Sequence, residues 1–370
     1  MLQRCFLGFG FSTWFGACFG LALLAALPPA AANELPLMPY PLKLERQSGA
    51  LQLAANQAEM QLSVALLLAD ATPTSATDAQ YLIHHLQQRL TAQAGRPVLL
   101  EWVDATAKPR LRIKIGKLLS IPKPGDDESY QLQITPQHIS LTANTSTGAL
   151  YGIETLSQLL QCPLPTTSAA AVTASKAAAP GCQWPAVTVE DQPRFPWRGL
   201  LVDSARRFVP LADLKRQLQG MASAKLNVLH WHLTDDQGWR FESKRYPKLQ
   251  ALASDGQYYT RKQMREVVAY AQARGIQVLP EIDVPGHSLA AIASYPELSC
   301  TPGAENYVVR SGEKIMDWSR GAPPLGLIDN TLCPANEKVY VFLDTVFTQI
   351  AKLFPFEYIH IGGDEVARNF

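Results

Sequence analysis

The residues of this chain best suited to chemistry are carboxylates and histidines that recur just behind short apolar runs. The densest group is Gly362-Gly363-Asp364-Glu365. Glycines let a backbone turn sharply, so two adjacent carboxylates can face one space instead of pointing apart as strand neighbours do. Two close carboxylates resist ionising together, which keeps one protonated near neutral pH and available as a general acid. Three earlier runs end in the same way: Asp203 closes one, Asp235 and Asp236 close a second, and Glu281, Asp283 and His287 close a third, while Arg198 stands at the start of the first. A lone Asp-Glu pair is as well explained as a helix N-cap, where acidic residues favour the first turn. Four acid-tipped runs in one chain favour a shared site. His230 and His232, at i and i+2, share one side of a strand and could form half of a metal site, as in metal-dependent hydrolases. No third ligand follows at metal-like spacing, so a packed strand whose histidines hydrogen-bond to neighbours is the better reading.

The elements that must carry these residues alternate. After residue 193 the chain repeats strand, loop and helix: an apolar run from Leu200, a helix with Leu211, Leu214, Leu218 and Met221 on one face, then a strand from Asn227. A capping box of Thr260 with Gln263 opens the next helix, Gly275 ends it, and a third strand runs from Ile276. A last helix from about Asn336 leads into Tyr358-Ile-His-Ile as a fourth strand. Such alternation predicts a parallel sheet, either doubly wound or a (β/α)8 barrel. In a barrel the C-terminal strand ends converge on one mouth; a doubly wound sheet concentrates its chemistry at one switch point, and no GxGxxG or phosphate loop follows any strand here. The expected fold is therefore α/β, a barrel with about four of its eight strands present, over residues 193–370. Residues 33–162 mix short alternating strands with helices around residues 79–94 and 147–160, which predicts an α+β domain with a mainly antiparallel sheet and helices on one face. His84 and His85 read there as a solvated helix face. Residues 163–192, poor in large apolar side chains, read as a low-complexity linker.

With 33 Lys plus Arg against 32 Asp plus Glu, the chain lacks the basic footprint of a nucleic-acid binder, and 47% hydrophobic residues over 370 positions suit globular domains with real cores. Residues 1–32 carry one charge, Arg4, then a long apolar stretch and Ala30-Ala31-Ala32, the pattern of a signal peptide cleaved after about Ala32, with an uncleaved membrane anchor as the alternative. Export to the periplasm or outside the cell is the expectation. Four cysteines lie beyond this leader: Cys162 and Cys182 bracket one loop-like stretch, and Cys300 and Cys333 another. Two loop-closing disulfides fit an oxidising compartment, although spacing does not fix the partners.

Four ordered segments carry a resemblance: Pro193-Arg-Phe-Pro-Trp-Arg-Gly, Asn227-Val-Leu-His-Trp-His-Leu-Thr-Asp-Asp, Pro280-Glu-Ile-Asp-Val-Pro-Gly-His and His360-Ile-Gly-Gly-Asp-Glu. In order, they resemble the signature segments of the β-N-acetylhexosaminidases of glycoside hydrolase family 20. Glu128-Ser-Tyr-Gln-Leu and Gly148-Ala-Leu-Tyr-Gly-Ile-Glu-Thr-Leu-Ser-Gln-Leu are similar to the domain that precedes the barrel there. The resemblance implies an exo-acting hydrolase, needing no metal or other cofactor, that removes a terminal non-reducing β-linked N-acetylhexosamine from chitin oligomers, peptidoglycan fragments or glycans. It implies Glu365 as acid/base and Asp364 as the group that orients the substrate's own 2-acetamido nucleophile, with retention of configuration. It further implies that Asp235 and His287 tune the proton affinity of Glu365, that Arg198 binds hydroxyls of the terminal sugar, and that Asp236 and Asp283 support these from behind. Family members continue through further strand-helix units, so the 370-residue chain alone is expected not to be a competent enzyme. Two other readings stay open: a sugar-binding barrel without chemistry, which intact Asp364 and Glu365 count against, and a metal-dependent hydrolase built on His230 and His232.

Overall fold

The computed structural model describes residues 35–55, 59–69, 79–119, 121–163, 181–309 and 330–366. The leader over residues 1–32 and most of the Ala/Ser/Thr-rich stretch lie outside the described residues. The described residues from Leu37 onward form one compact unit. Among the described residues, no helix is long and apolar enough to cross a membrane.

The first layer of structure is a sheet of β1 (Lys43–Gln52), β2 (Ala54–Ala55), β3 (Met60–Leu68), β4 (Val98–Trp102), β5 (Leu111–Lys117), β6 (Tyr130–Ile134), β7 (Ile139–Thr145) and β8 (Gln183–Asp191). Strict alternation builds it: Leu111, Ile113 and Ile115 of β5, Tyr130, Leu132 and Ile134 of β6, and Ile139, Leu141 and Ala143 of β7 are buried, and the residues between them are not. Helices α1 (Gln80–Ala94) and α2 (Ser146–Gln158) pack side by side on the sheet.

Two expectations need correction. The strand order β1-β8-β6-β7-β5-β3-β2 is antiparallel from β1 to β7 but parallel from β7 through β5 to β3, with β4 parallel to β3, so the sheet is mixed. A strand can run parallel to its predecessor when a crossover helix connects them, as α1 connects β3 to β4. The linker expected at 163–192 also ends sooner: Gln183–Asp191 is β8, wedged between β1 and β6 with Trp184, Val187 and Val189 buried, so the first domain extends to residue 191. Cys162 pairs with Cys182 and Cys300 with Cys333, the first of these bonds tying the end of α2's loop to the start of β8.

Beyond it, β9 (Gly199–Asp203), β10 (Val228–His232) and β13 (Gln277–Glu281) form a parallel sheet in the order β9-β10-β13. Asp203, His232 and Glu281 stand in register as its end residues. The connecting helices are α3 (Leu211–Ser223), α5 (Arg261–Gln272), with its Thr260–Gln263 capping box formed, and α7 (Glu337–Ala351). Between β10 and α5 lie the short hairpin β11 (Thr234–Asp235) and β12 (Gly238–Trp239) and helix α4 (Lys248–Leu252); α6 (Leu289–Ser294) follows β13. Leu229 and Trp231 of β10 face the helices and join Leu218, Met264, Val267, Phe342 and Ile350 in one core. The fourth strand is shorter than expected: residues 358–361 run beside β13 through one bridge, Glu281 with His360, and hydrogen bonds from Ile282 and Val284 to His360 and Ile361. Among the described residues its backbone pairs with β13 alone.

Candidate active site

The alternation that sends Leu229 and Trp231 to the helices sends His230 and His232 to the other face, beside the ends of the neighbouring strands. His232 Nδ1 lies 2.7 Å from Glu281 Oε2, and its Nε2 lies 2.9 Å from Asp235 Oδ2. His230 Nε2 is 2.6 Å from the same Glu281 Oε2, and His360 Nδ1 is 3.1 Å from Oε1. Coordinating atoms around a tetrahedral ion with bonds near 2.0 Å stand roughly 3.3 Å apart. The two shortest contacts are therefore hydrogen bonds, and the His230–Glu281–His360 and His232–Glu281–Asp283 groupings, compact enough to suggest a metal, are arranged as a hydrogen-bonded cluster.

Asp235 is fully buried. Burial would raise its carboxyl, but the hydrogen bond from His232 and the charges of Arg206 and His287 outweigh it and hold it at about 2. Arg206 Nη2 reaches Asp235 Oδ2 at 2.7 Å and its Nη1 reaches Asp203 Oδ2 at 3.0 Å. The loop carrying Arg206 is held by Arg240, a wholly buried guanidinium that donates to the carbonyls of Ser204, Ala205, Ser254 and Gln257. Asp236 accepts from Leu289 N, at the start of α6, and from Asn330 Nδ2, ahead of α7, and so ties both to the hairpin.

His287 adopts φ 48° and projects between the two carboxylate layers. Its Nδ1 stands 3.3 Å from Asp235 Oδ1 and 3.4 Å from Asp236 Oδ2; its Nε2 stands 3.3 Å from Glu365 Oε2 and 3.7 Å from Asp364 Oδ2. None of these contacts has full hydrogen-bond alignment, so the interaction is chiefly ionic. Asp235 and Asp236 lift His287 to about 11 against the opposing effect of burial. Beneath the Gly362-Gly363 turn, Asp283 Oδ1 accepts from Gly363 N at 3.2 Å. Burial raises the Asp283 carboxyl to about 6, the bond from Gly363 and the charge of His287 only partly offsetting it. Gly362 has φ 64°, and a Cβ there would lie 1.8 Å from Asp283 Oδ1. Only glycine lets the turn sit this close to the carboxylate. Asp364 and Glu365 point outward, their side chains 66% and 62% exposed, as groups that meet a ligand from solvent must be.

Asp235, His287, Asp364 and Glu365 thus come together, with Asp236 and Asp283 packed behind them. Arg198 does not join them. It precedes β9, and five residues at about 3.3 Å each put it roughly 16 Å from the strand's C-terminal end. Its guanidinium instead pairs with Glu128 at 2.8 and 3.0 Å, with Tyr151 Oη at 2.9 Å and with the carbonyls of Lys225 and Phe195, pinning the barrel's base to the first domain. The guanidinium at the mouth is Arg206, three residues past Asp203. Its position just beyond an acid-tipped strand was the available signal. His85, expected on a solvated face, is also buried, 2.7 Å from Glu154.

Residues 195–370 match the catalytic domain of glycosyl hydrolase family 20, and residues 34–192 match that family's domain 2. The chain belongs to glycosyl hydrolase family 20. It is 31% identical to a β-hexosaminidase of Porphyromonas gingivalis, across 96% of this chain and 43% of that protein. It is 38% identical to a β-hexosaminidase of Akkermansia muciniphila, across 81% of this chain and 55% of that one. The structure of a chitobiase from Flavobacterium johnsoniae superimposes with a TM-score of 0.71 at 35% identity, covering 90% of this chain and 45% of its own. The chain therefore spans about half the length of these relatives. With the family comes the architecture of an N-terminal domain followed by a TIM-barrel-like catalytic domain.

Proposed function

We propose that the protein is an exo-acting β-N-acetylhexosaminidase, cleaving a terminal non-reducing N-acetylhexosamine from an oligosaccharide with retention of configuration. The observation that carries this reading is the position of His287, ionically linked to Asp235 and Asp236 on one side and to Glu365 and Asp364 on the other. A histidine lifted to about 11 takes up no proton during turnover at neutral pH. Its part is to hold a positive charge against Glu365, leaving proton transfer to the carboxyl. Glu365 donates its proton to the glycosidic oxygen as the bond to the anomeric carbon breaks. The substrate's acetamido oxygen, oriented by Asp364, closes on that carbon from the opposite face, and water later reopens the ring as Glu365 takes its proton. Holding an intramolecular nucleophile in place is worth effective molarities on the order of 10⁵ M or more. The Arg206 fork, part-exposed between Asp203 and Asp235, supplies the donors for sugar hydroxyls that Arg198 was expected to supply.

The leader-like first 32 residues and the two disulfides support action in the periplasm or outside the cell. A closed barrel leaves no free sheet edge, whereas Leu201 of β9 and Ile361 are each 53% exposed, which supports turnover only when further strands complete the barrel. Hydrolysis of p-nitrophenyl N-acetyl-β-glucosaminide by the complete translation product of the gene tests the reading. Glu365→Gln is expected to lower kcat at least 10²-fold, the low end for a general acid; an unchanged rate would overturn it.

A further inference from the structure

His232 lies one step behind the groups assigned to proton transfer, and its hydrogen bonds fix its chemical state. A neutral imidazole has one donor and one acceptor nitrogen, and an ionised carboxylate can only accept. Both nitrogens of His232 face carboxylates, Glu281 Oε2 at 2.7 Å and Asp235 Oδ2 at 2.9 Å; Nε2 also lies 3.1 Å from Arg206 Nη1, which itself donates to Asp203 Oδ2 at 3.0 Å. With both acids ionised, and with Arg206 Nη1 donating to Asp203 so that the closer Asp235 oxygen is the partner of Nε2, both nitrogens donate and the ring is an imidazolium. Its side chain is only 5% exposed, so the charge is compensated by protein groups and not by water.

On Asp235 the four acceptor sites are divided. Oδ2 takes His232 and Arg206 Nη2, while Oδ1 takes the backbone N–H of Asp236 at 2.7 Å and faces His287 Nδ1. Two cations on one oxygen prevent the carboxylate from rotating, so the other oxygen stays aimed at His287. Glu281 is in turn held by His230 and His360, whose rings lie 4.5 Å apart.

We propose that His232 is a positioning residue for the reaction: a doubly donating imidazolium at neutral pH that locks the orientation and charge of Asp235, and through it the proton that His287 holds opposite Glu365. This rests on the assignment of Glu365 as acid/base, but its first readout does not need turnover. The charged groups facing the ring are Asp203 at the end of β9, Arg206 beyond it, Asp235 in β11, Glu281 in β13 and Asp283 after it. Burial alone would lower its proton affinity, but the bonds to Asp235 and Glu281 prevail and raise it to about 9.

The experiment is side-chain ¹⁵N NMR of the histidines in the full chain, with His232→Gln to assign the signal. Both His232 nitrogens are expected to read as protonated at pH 7.5. A neutral single-tautomer pattern at pH 7.5 would overturn the proposal. In His232→Gln, and separately in Glu281→Gln, which replaces the carboxylate facing the ring by a neutral amide of the same length, the His287 titration is expected to move by half a pH unit or more. In the active enzyme kcat should fall on the order of 10²-fold with the alkaline limb displaced and KM within about threefold. A lowered Tm with the His287 titration and the pH profile unmoved would overturn the proposal, because that is what a merely packed histidine does. An imidazolium with the His287 shift but no Glu365-dependent turnover would leave His232 as assigned and refute the hydrolase reading instead.

Discussion

Arg198 separates two accounts of the same residue, so the sharpest prediction concerns it. As a sugar ligand, its removal would raise KM and leave stability alone. In the structure it meets the Glu128 carboxylate through two nitrogens at 2.8 and 3.0 Å, and the Glu128 side chain is only 6% exposed. Replacing Arg198 by Met removes the cation and leaves that carboxylate buried with only Tyr151 Oη and Asn227 Nδ2 as donors. Breaking a buried pair from one side costs about 3–5 kcal/mol, a large part of a typical total stability of roughly 5–15 kcal/mol. At an m value near 3 kcal/mol/M, the urea midpoint should drop by about 1 M or more. The double variant Arg198→Met with Glu128→Leu should recover at least half of the loss, since removing both charges removes the unpaired one; a coupling of about 2 kcal/mol is expected. Substrate affinity should stay within about twofold, given a separation of roughly 16 Å from the mouth. An unchanged midpoint together with a raised KM would refute the reasoning and return Arg198 to the sugar.

Three further outcomes follow from the geometry. Gly362→Ala should cost about 1–3 kcal/mol more than Gly363→Ala, because both strain a left-handed backbone but only at 362 does the new methyl displace Asp283; equal unfolding midpoints would contradict this. Replacing Cys162 and Cys182 together by Ser should lower stability by about 3 kcal/mol, from release of a loop spanning 20 residues, and a melting curve identical to wild type would speak against it. His287 is raised from 6.5 to about 11, so the stability it contributes is fully present below pH 6.5 and is lost as pH rises toward 11. Urea midpoints measured from pH 6 to 10 should therefore fall more steeply in the wild type than in His287→Gln, and parallel curves would exclude the assigned charge.

The carboxylates were legible because their signal is local. An acid directly behind an apolar run marks a strand end whatever the rest of the chain does, so Asp235, His287, Asp364 and Glu365 could be grouped before any contact was known. The alternation in β5, β6 and β7 and the Thr260–Gln263 capping box are local in the same sense, since each spans only a few residues. β8 was missed because the stretch before it is poor in large side chains, and its pairing with β1 joins residues well over a hundred positions apart. Nor does a strand's pattern state whether its partner runs parallel, which is why the first sheet proved mixed.

Which end of a strand a charged side chain occupies matters more than that it is charged. The order of residues placed both Arg198 and Asp203 on one short run, but only the sheet register sets Asp203 beside His232 and Glu281 and leaves Arg198 at the opposite end against Glu128. The sequence by itself determined residue types and their spacing, and hence the strand-helix rhythm, the acid-tipped ends and the family resemblance. The tertiary structure alone decided which charges are paired and buried, because burial and partner distance are properties of packing. It is burial and partners that make His232 a cation, Asp235 an anion and His287 the fixed charge between two carboxylate layers.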